Sequence, residues 1–193
     1  MKTIKNETNI EFEEKKSRFI GYVKPVQTKE EAEDFINYIK NKHKDATHNC
    51  SAYKITNNGL EFFKVDDDGE PSGTAGKPIG EIITYMGVTN LVVVVTRYFG
   101  GIKLGAGGLV RNYAKGAKLS ISESEIVDFV EKINLMLELP YEKLSEFEKV
   151  LEDYEVDNVE KSFLDKVIVK IKIDKSFYEN IKKYLYINIL DIF

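Results

Sequence analysis

The chain has little cysteine and histidine and no long apolar run. It has 193 residues, with one cysteine, Cys50, and two histidines. A single cysteine excludes an internal disulfide, and Cys50 with the two histidines is too small a set for a structural zinc site without carboxylate ligands. No segment approaches the roughly 18 apolar residues that cross a bilayer, and the N-terminal stretch MKTIKNETNIEFEEKK has no apolar signal core. We therefore expect a cytoplasmic protein without a membrane partner or a metal site.

The acidic excess is confined to the C-terminal third of the chain. The net charge is −4, but residues 1–130 carry 18 of the 28 Lys and Arg and 18 of the 32 Asp and Glu. The deficit therefore lies in residues 131–193. A local basic patch in the neutral part can still bind nucleic acid, because charges within about 8–10 Å dominate.

Periodicity predicts the elements of residues 1–130. The stretch NLVVVVTRYF is almost continuously apolar, as in a strand buried on both faces. We expect residues 91–98 to be the central strand of a mixed sheet with helices on one face. Thr28 is a suitable N-cap for the first helix. The other predicted elements are strands over 9–14 and 17–25, a hairpin over 48–65 with its turn at NNG, and helices over 28–44, 80–88 and 109–121.

A new series of predicted strands and helices begins after residue 130. We therefore expect an α+β protein with domains at 1–130 and 131–193. The order βαββα is that of much of a ferredoxin-like unit. The last residues, ILDIF, form either a short final strand or a frayed end. The predicted elements are a strand over 133–139, a helix over 142–154, strands over 156–163 and 167–173, and a helix over 176–185.

Five of the thirteen glycines lie within the nine residues from Gly100 to Gly108. Glycine permits close approach to the backbone but loses more conformational entropy on folding than any other residue. The cluster therefore indicates that something, such as a phosphate, comes close to this backbone. We call the segment from Gly100 to Gly108 the glycine loop. It follows a predicted strand and precedes a predicted helix, and this order would direct the free N–H groups of the first helical turn outward near Gly107, where they bind anions.

Neither of the common nucleotide-binding fingerprints is present. A Walker loop requires Ser or Thr after Gly-Lys, but Pro78 follows Lys77, and Pro71 stands where the first glycine would be. A Rossmann fingerprint would need a third glycine where Val110 stands. We therefore expect no bound cofactor.

The helix after the glycines carries a basic stripe of Arg111, Lys115 and Lys118 with Ser122, and no acidic residue lies between 97 and 118. A second stripe a quarter turn away is expected to pack on the sheet. The alternative is that the glycines only permit tight helix–sheet packing and that the cations only solvate a surface helix. The expected packing residues are Val110, Ala114, Ala117 and Ile121, and the expected stacking surfaces are Tyr98, Phe99 and Tyr113.

The acidic loop, residues 66–78, is a second candidate site. An EF-hand needs Glu at its twelfth position, which counted from Asp66 is Lys77, so a calcium site of that kind is excluded. Ser72 and Thr74 are candidate caps of the following helix, and Lys77 is a candidate anion contact.

Elsewhere, His48 and Cys50 share a strand face. Such neighbours rarely reach the geometry of a catalytic dyad, and we find no catalytic constellation.

Four ordered motifs resemble the YigZ/IMPACT family: KKSRFIGYV, HNCSAY, DDGEPSGTAGKPI and VVVTRYFGGIKLGAGGLVRNY. The resemblance implies an N-terminal domain like the second domain of a small-subunit ribosomal protein, a βαβ-rich fold also used by GHMP kinases. It also implies a C-terminal domain like the last domain of elongation factor G. Eukaryotic members regulate translation through an additional N-terminal domain. For this sequence the resemblance implies a link to nucleic acid or translation.

Two functions are consistent with these observations. The first is a non-catalytic protein that binds RNA or the ribosome and regulates translation, with a protein partner in translation as a further expectation. The second is an enzyme that acts on a small phosphorylated substrate, with the glycine loop as phosphate cradle. The predicted nucleic-acid- or anion-binding residues are Arg97, Tyr98, Gly100, Gly101, Lys103, Gly105, Gly107, Gly108, Arg111, Lys115 and Lys118. The acidic loop is a possible second site, and its candidate residues are Asp67, Glu70, Ser72, Thr74 and Lys77.

Overall fold

The computed structural model describes residues 1–57, 60–154, 156–184 and 187–192. The chain divides into two compact units, Met1–Phe129 and Val130–Phe193. No helix within the described ranges is both long and apolar enough to cross a membrane. Three predicted features lie outside the described residues. They are the centre of the NNG turn, the helix end at Leu185 and the last residue of the final strand, Phe193.

The first unit contains an antiparallel five-stranded sheet with a long central strand. The strands of the whole unit are β1 (Lys2–Ile4), β2 (Thr8–Glu14), β3 (Ser17–Pro25), β4 (His48–Asn57), β5 (Leu60–Asp66), β6 (Leu91–Tyr98) and β7 (Ile126–Asp128). The helices of the unit are α1 (Lys29–Lys42), α2 (Gly76–Tyr85) and α3 (Ala106–Glu123). The sheet order is β2-β3-β6-β4-β5, so β6 is central as predicted. Strands β1 and β7, which the periodicity does not reveal, form a separate two-stranded sheet.

The side chains of β6 alternate between two hydrophobic cores. Val93 and Val95 pack with residues of α2 and α3, whereas Val92 and Val94 pack with residues of α1. The prediction of a mixed sheet with helices on one face is therefore wrong, because every pairing in this sheet is antiparallel and helices cover both faces. A strand that is apolar at each position needs cover on each side, since successive side chains point to opposite faces.

The helix starts follow local chemistry. The Thr28 side chain accepts a hydrogen bond from the Glu31 N–H at 3.1 Å, which confirms Thr28 as the N-cap of α1. Helix α3 begins at Ala106, three residues before the predicted start. Its first turn therefore contains Gly107 and Gly108, and the two glycines belong to the helix rather than to the loop before it.

The second unit contains β8 (Lys132–Leu139), a single 3-10 turn (Tyr141–Lys143), α4 (Leu144–Glu152), β9 (Val156–Phe163), β10 (Val167–Asp174), α5 (Lys175–Ile181) and β11 (Asn188–Ile192). Its strands form an antiparallel sheet in the order β11-β8-β10-β9. Phe147 of α4 and Phe177 of α5 are buried in its core. The element order is βαββαβ, so the C-terminal residues contribute a final strand instead of fraying.

Candidate nucleic-acid interface

Three glycines between β6 and α3 have conformations or contacts that exclude a side chain. Gly101 and Gly105 have φ angles of 86° and 72°, in the left-handed region that favours glycine. Gly100 lies against the turn between β2 and β3, where an added Cβ would be 1.8 Å from the carbonyl oxygen of Lys16. The fold alone therefore explains these three glycines.

The two glycines in the first turn of α3 differ from each other. Gly108 is buried, and an added Cβ would lie 2.9 Å from Cβ of Leu104. Gly107 is exposed, and its added Cβ would meet only the Arg111 Nη1 atom at 3.5 Å, which is an ordinary contact. A glycine inside a helix destabilises it by about 0.5–1 kcal/mol relative to alanine. Packing within the described residues does not require glycine at this position, which is open to approach from solvent.

The N-terminus of α3 lacks the carboxylate that caps α2. The Asp67 carboxylate accepts hydrogen bonds from the N–H groups of Gly73, Ala75 and Gly76 at 2.8, 3.0 and 2.8 Å, and it thereby occupies the start of α2. Among the described residues, no side chain caps the 18-residue helix α3, and its first turn has no acidic residue. The free N–H groups and the helix dipole therefore give this end a positive potential.

Four cations lie in the loop before α3 and along the helix with exposed side chains. They are Lys103, Arg111, Lys115 and Lys118. In the part of the chain that the structure describes, no carboxylate lies within 4.0 Å of any of them. The ammonium of Lys115 lies 4.3 Å from the centre of the Phe12 ring, which directs it towards β2. The helix therefore presents a positive surface whose cations form no direct ion pair with the described carboxylates.

The buried face of α3 is rotated from the predicted one. Val110, expected to pack on the sheet, is 37% exposed, and Ala114 is only partly buried. Gly116 lies against β6, where an added Cβ would be 3.0 Å from a methyl carbon of Val95. The missing side chain of Gly116 lets the helix pack closely on the sheet at this point, so the predicted alternative of tight helix–sheet packing applies to this glycine. The buried apolar residues of the helix are Leu109, Tyr113, Ala117 and Ile121.

A cleft of about 240 Å³ lies beside α3, and the β2–β3 turn contributes to its lining. Its Lys15 was absent from the predicted site, although it begins the motif KKSRFIGYV. Lys15 and Lys16 have φ angles of 46° and 64°, a left-handed conformation that costs a non-glycine residue about 1–2 kcal/mol. We call this cleft the basic cleft, and it is lined by Glu14, Lys15, Leu104, Gly108, Arg111, Asn112 and Lys115.

Arg97, predicted to contact phosphate, is instead a buried structural residue. It is 6% exposed, and its Nη1 donates a hydrogen bond to the Glu70 carboxylate at 2.7 Å. Its Nη2 lies 3.4 Å from the Ser17 hydroxyl, which also accepts the Gly100 N–H at 3.4 Å. Arg97 therefore joins the acidic loop to the β2–β3 turn and the glycine loop. The prediction of Arg97 and Glu70 as ligand contacts is wrong, because both side chains are buried and are paired with each other.

The three aromatic candidates have different surroundings. Tyr113 is fully buried, its hydroxyl donates to Glu70 at 2.7 Å, and burial raises the pKa of its phenol, so it offers no stacking surface. Tyr98 is half-buried, and its hydroxyl contacts His43 at 2.8 Å and Asp45 at 3.2 Å. Phe99 is 46% exposed. Of the three, Phe99 is the one with an accessible ring.

The acidic loop stabilises the fold and does not line the basic cleft. Asp66 and Asp68 pair with the Lys40 ammonium at 3.3 and 2.7 Å. Burial alone would raise the pKa of Asp67, but its three N–H partners outweigh this effect, and its pKa lies below the ordinary value of 3.8. The carboxylate that caps α2 is therefore that of Asp67. The prediction of Ser72 and Thr74 as caps is wrong, because the Thr74 hydroxyl donates to the Pro71 carbonyl oxygen and the N-cap residue of α2 makes no side-chain cap.

The remaining candidates of the sequence, Lys77 and Cys50, differ in exposure. Lys77 is exposed, and its ammonium lies 3.8 Å from the Glu81 carboxylate on the next turn of α2. The Cys50 thiol donates to the Asp67 carbonyl oxygen at 3.0 Å, and burial raises its pKa, which suppresses thiolate reactivity. No group of three His, Cys, Asp or Glu in the described ranges is arranged to hold a metal ion.

Comparison with known proteins places these motifs in one family. Residues 15–121 match the Impact N-terminal domain. The IMPACT family member YvyE of Bacillus subtilis is 48% identical over 65% of this chain and 58% of its own length, so the match spans less than two thirds of that relative. An IMPACT family member of Haemophilus influenzae is 39% identical over 79% of this chain and 75% of its own length.

A solved structure shares the fold over the whole chain. A crystal structure described as that of a hypothetical protein has a TM-score of 0.73 at 27% identity, and the alignment covers 100% of this chain and 97% of the other. The glycine loop, the β2–β3 turn and the acidic loop all lie within the matched residues 15–121. The chain therefore belongs to the IMPACT family.

Proposed function

We propose that this protein is a non-catalytic nucleic-acid-binding protein that contacts RNA or the ribosome and regulates translation. The observation that carries the proposal is the positive surface on α3: Lys103, Arg111, Lys115 and Lys118 are exposed without a carboxylate partner among the described residues. They lie along or just before a helix whose N-terminus is uncapped. Phosphates are the ligands that such a combination of cations and free N–H groups favours.

The shape of the basic cleft supports an open contact with a polyanion. At about 240 Å³, the cleft is smaller than the roughly 300–1,000 Å³ of most small-molecule sites. Among the described residues that line it, Glu14 is the one with a carboxylate, against the cations Lys15, Arg111 and Lys115. Phosphate groups that pass across its mouth would meet three cations from two elements.

The enzyme alternative lacks support from the acidic loop. A phosphoryl-transfer site would need carboxylates near the glycines to hold a metal ion or act as a base. Asp66 and Asp68 pair with Lys40, and Asp67 caps α2. The residues of the basic cleft include none from the acidic loop. The geometry therefore favours binding over catalysis.

The fold of the two units is consistent with this role. The βαββαβ order and the β11-β8-β10-β9 sheet of the second unit are those of a ferredoxin-like domain. We extend the family resemblance to both units: the first is like the second domain of a small-subunit ribosomal protein, and the second is like the last domain of elongation factor G. A contact with the ribosome or a protein partner in translation is part of the proposal.

The experiment compares the binding of total RNA with that of a panel of nucleotides at two salt concentrations. The double variant Arg111→Ala/Lys115→Ala should bind RNA more weakly than the wild type at low salt. Lys44→Ala/Lys149→Ala, which removes two exposed lysines outside the cleft, is the matched control and should bind like the wild type. Equal binding by all three proteins, or a preference for one nucleotide over RNA, would overturn the proposal.

A further inference from the structure

Phe99 is an exposed aromatic residue with partners for both its backbone and its ring. Its side chain is 46% exposed although its backbone N–H donates to the Thr47 hydroxyl at 2.9 Å. The Arg97 guanidinium carbon lies 5.5 Å from the centre of the ring, and Arg97 is itself held by Glu70. The cation supports one side of the ring, and the exposed part faces solvent. A ring that is ordered before binding loses little conformational entropy when it stacks on a ligand.

The backbone next to Phe99 contacts an element of the basic cleft. The residue after it, Gly100, is in direct backbone contact with Lys16, and Lys15 lines the cleft. Ile102, which is 42% exposed, and the exposed Lys103 follow in the same loop. Apolar and aromatic surface is thus interleaved with cations over a few residues.

We infer that Phe99 is a stacking platform for a nucleobase of single-stranded RNA, beside the phosphate contacts of the basic cleft. The inference rests on the proposed function and narrows it to one class of nucleic acid. Proteins that bind single strands combine a positive groove with aromatic rings on which bases stack. In an RNA duplex the base faces are stacked on one another and are closed to such a ring. The platform therefore selects unpaired RNA without reading its sequence.

The test uses Phe99→Ala, Phe99→Leu and Phe99→Trp in the full chain. The probes are a labelled single strand of about twelve nucleotides, an abasic strand of the same length and a duplex of the same sequence. Leucine keeps an apolar side chain without an aromatic face, whereas tryptophan keeps the face. Tyr85→Ala, at a tyrosine that is 81% exposed at the end of α2, is the control for the loss of a surface aromatic residue.

The Ala and Leu variants should bind the single strand about fivefold more weakly or worse. The Trp and Tyr85→Ala variants should bind it like the wild type. Binding of the abasic strand and of the duplex should be unchanged in all four variants. A Leu variant with wild-type affinity, or an equal loss for the single strand and the duplex, would overturn the platform.

The failure of this inference is separable from that of the proposed function. If the Phe99 variants bind normally while Arg111→Ala/Lys115→Ala binds poorly, the platform is wrong and the phosphate surface stands. If the wild type binds none of the three probes, the proposed function fails and the platform fails with it.

Discussion

The buried guanidinium of Arg97 lies 2.7 Å from the buried carboxylate of Glu70. The two residues come from β6 and the acidic loop, and the same carboxylate accepts the Tyr113 hydroxyl from α3. Arg97 also contacts Ser17, next to the Lys15–Lys16 turn. This pair joins the segments that form the candidate interface. Its removal should therefore lower the stability of the fold, and any loss of binding would follow from that loss of stability.

Glu70→Gln should lower the free energy of unfolding by about 3–5 kcal/mol, because it leaves the Arg97 charge buried without a counter-charge. Urea denaturation of the wild type and the variant measures the difference. Glu81→Ala removes one partner of an exposed pair with Lys77 at 3.8 Å and should change stability by less than about 1 kcal/mol. A Glu70→Gln protein as stable as the Glu81→Ala protein would show that the buried pair does not hold the loops together.

Gly107→Ala should stabilise the protein and weaken RNA binding. The added Cβ has ordinary contact distances, so the variant gains up to about 1 kcal/mol of helix stability. The same methyl group stands where a phosphate would approach the N–H groups of the first turn. Thermal melts and fluorescence anisotropy measure the two effects.

Gly21→Ala is the matched comparison for a glycine that the fold requires. Its Cβ would lie 2.6 Å from the Gly116 carbonyl oxygen, and the overpacking should destabilise the protein by about 1–3 kcal/mol. If Gly107→Ala raises stability and leaves RNA affinity intact, close approach of a ligand to this backbone is refuted.

The salt dependence of RNA binding should report phosphate contacts. About four such contacts would give a slope of log affinity against log salt near −3 for single strands. Arg111→Ala/Lys115→Ala should flatten this slope by roughly one to two units and weaken binding to all RNA sequences alike. A variant that loses discrimination between sequences at an unchanged slope would instead indicate contacts with base edges.

Asp67 should make the stability of the protein depend on pH. Its pKa is lowered in the folded state, where three N–H groups hold the carboxylate. Its contribution is therefore fully present above its ordinary pKa of 3.8 and is lost as the pH falls through the lower, folded-state value. Asp67→Asn should melt below the wild type at neutral pH, and the gap should narrow at pH values below about 4. A gap that stays constant down to about pH 2 would show that the charge is not what caps α2.

Several elements could be predicted because they depend on neighbouring residues in the chain. The apolar run Leu91–Val95 requires cover on both faces wherever it is placed, so β6 was correctly predicted as the central strand. The Thr28 hydroxyl reaches an N–H three residues along, which is a local contact. The exposure of Arg111 and Lys115 follows from helical periodicity. The rotation of the buried face was missed, since the close contact of Gly116 with Val95 involves a residue of the sheet.

The sequence by itself determined the family motifs, the central strand and a helix with uncompensated positive charge, because each of these is a property of a continuous segment. Only the tertiary structure decided that Arg97 is paired with Glu70, 27 residues away, and that Lys15 enters the cleft beside Arg111. It also decided that Phe99 is accessible while Tyr113 is buried. The physical reason is that burial and ion pairing depend on which side chains meet across the sheet, and that proximity is set by the packing of distant segments.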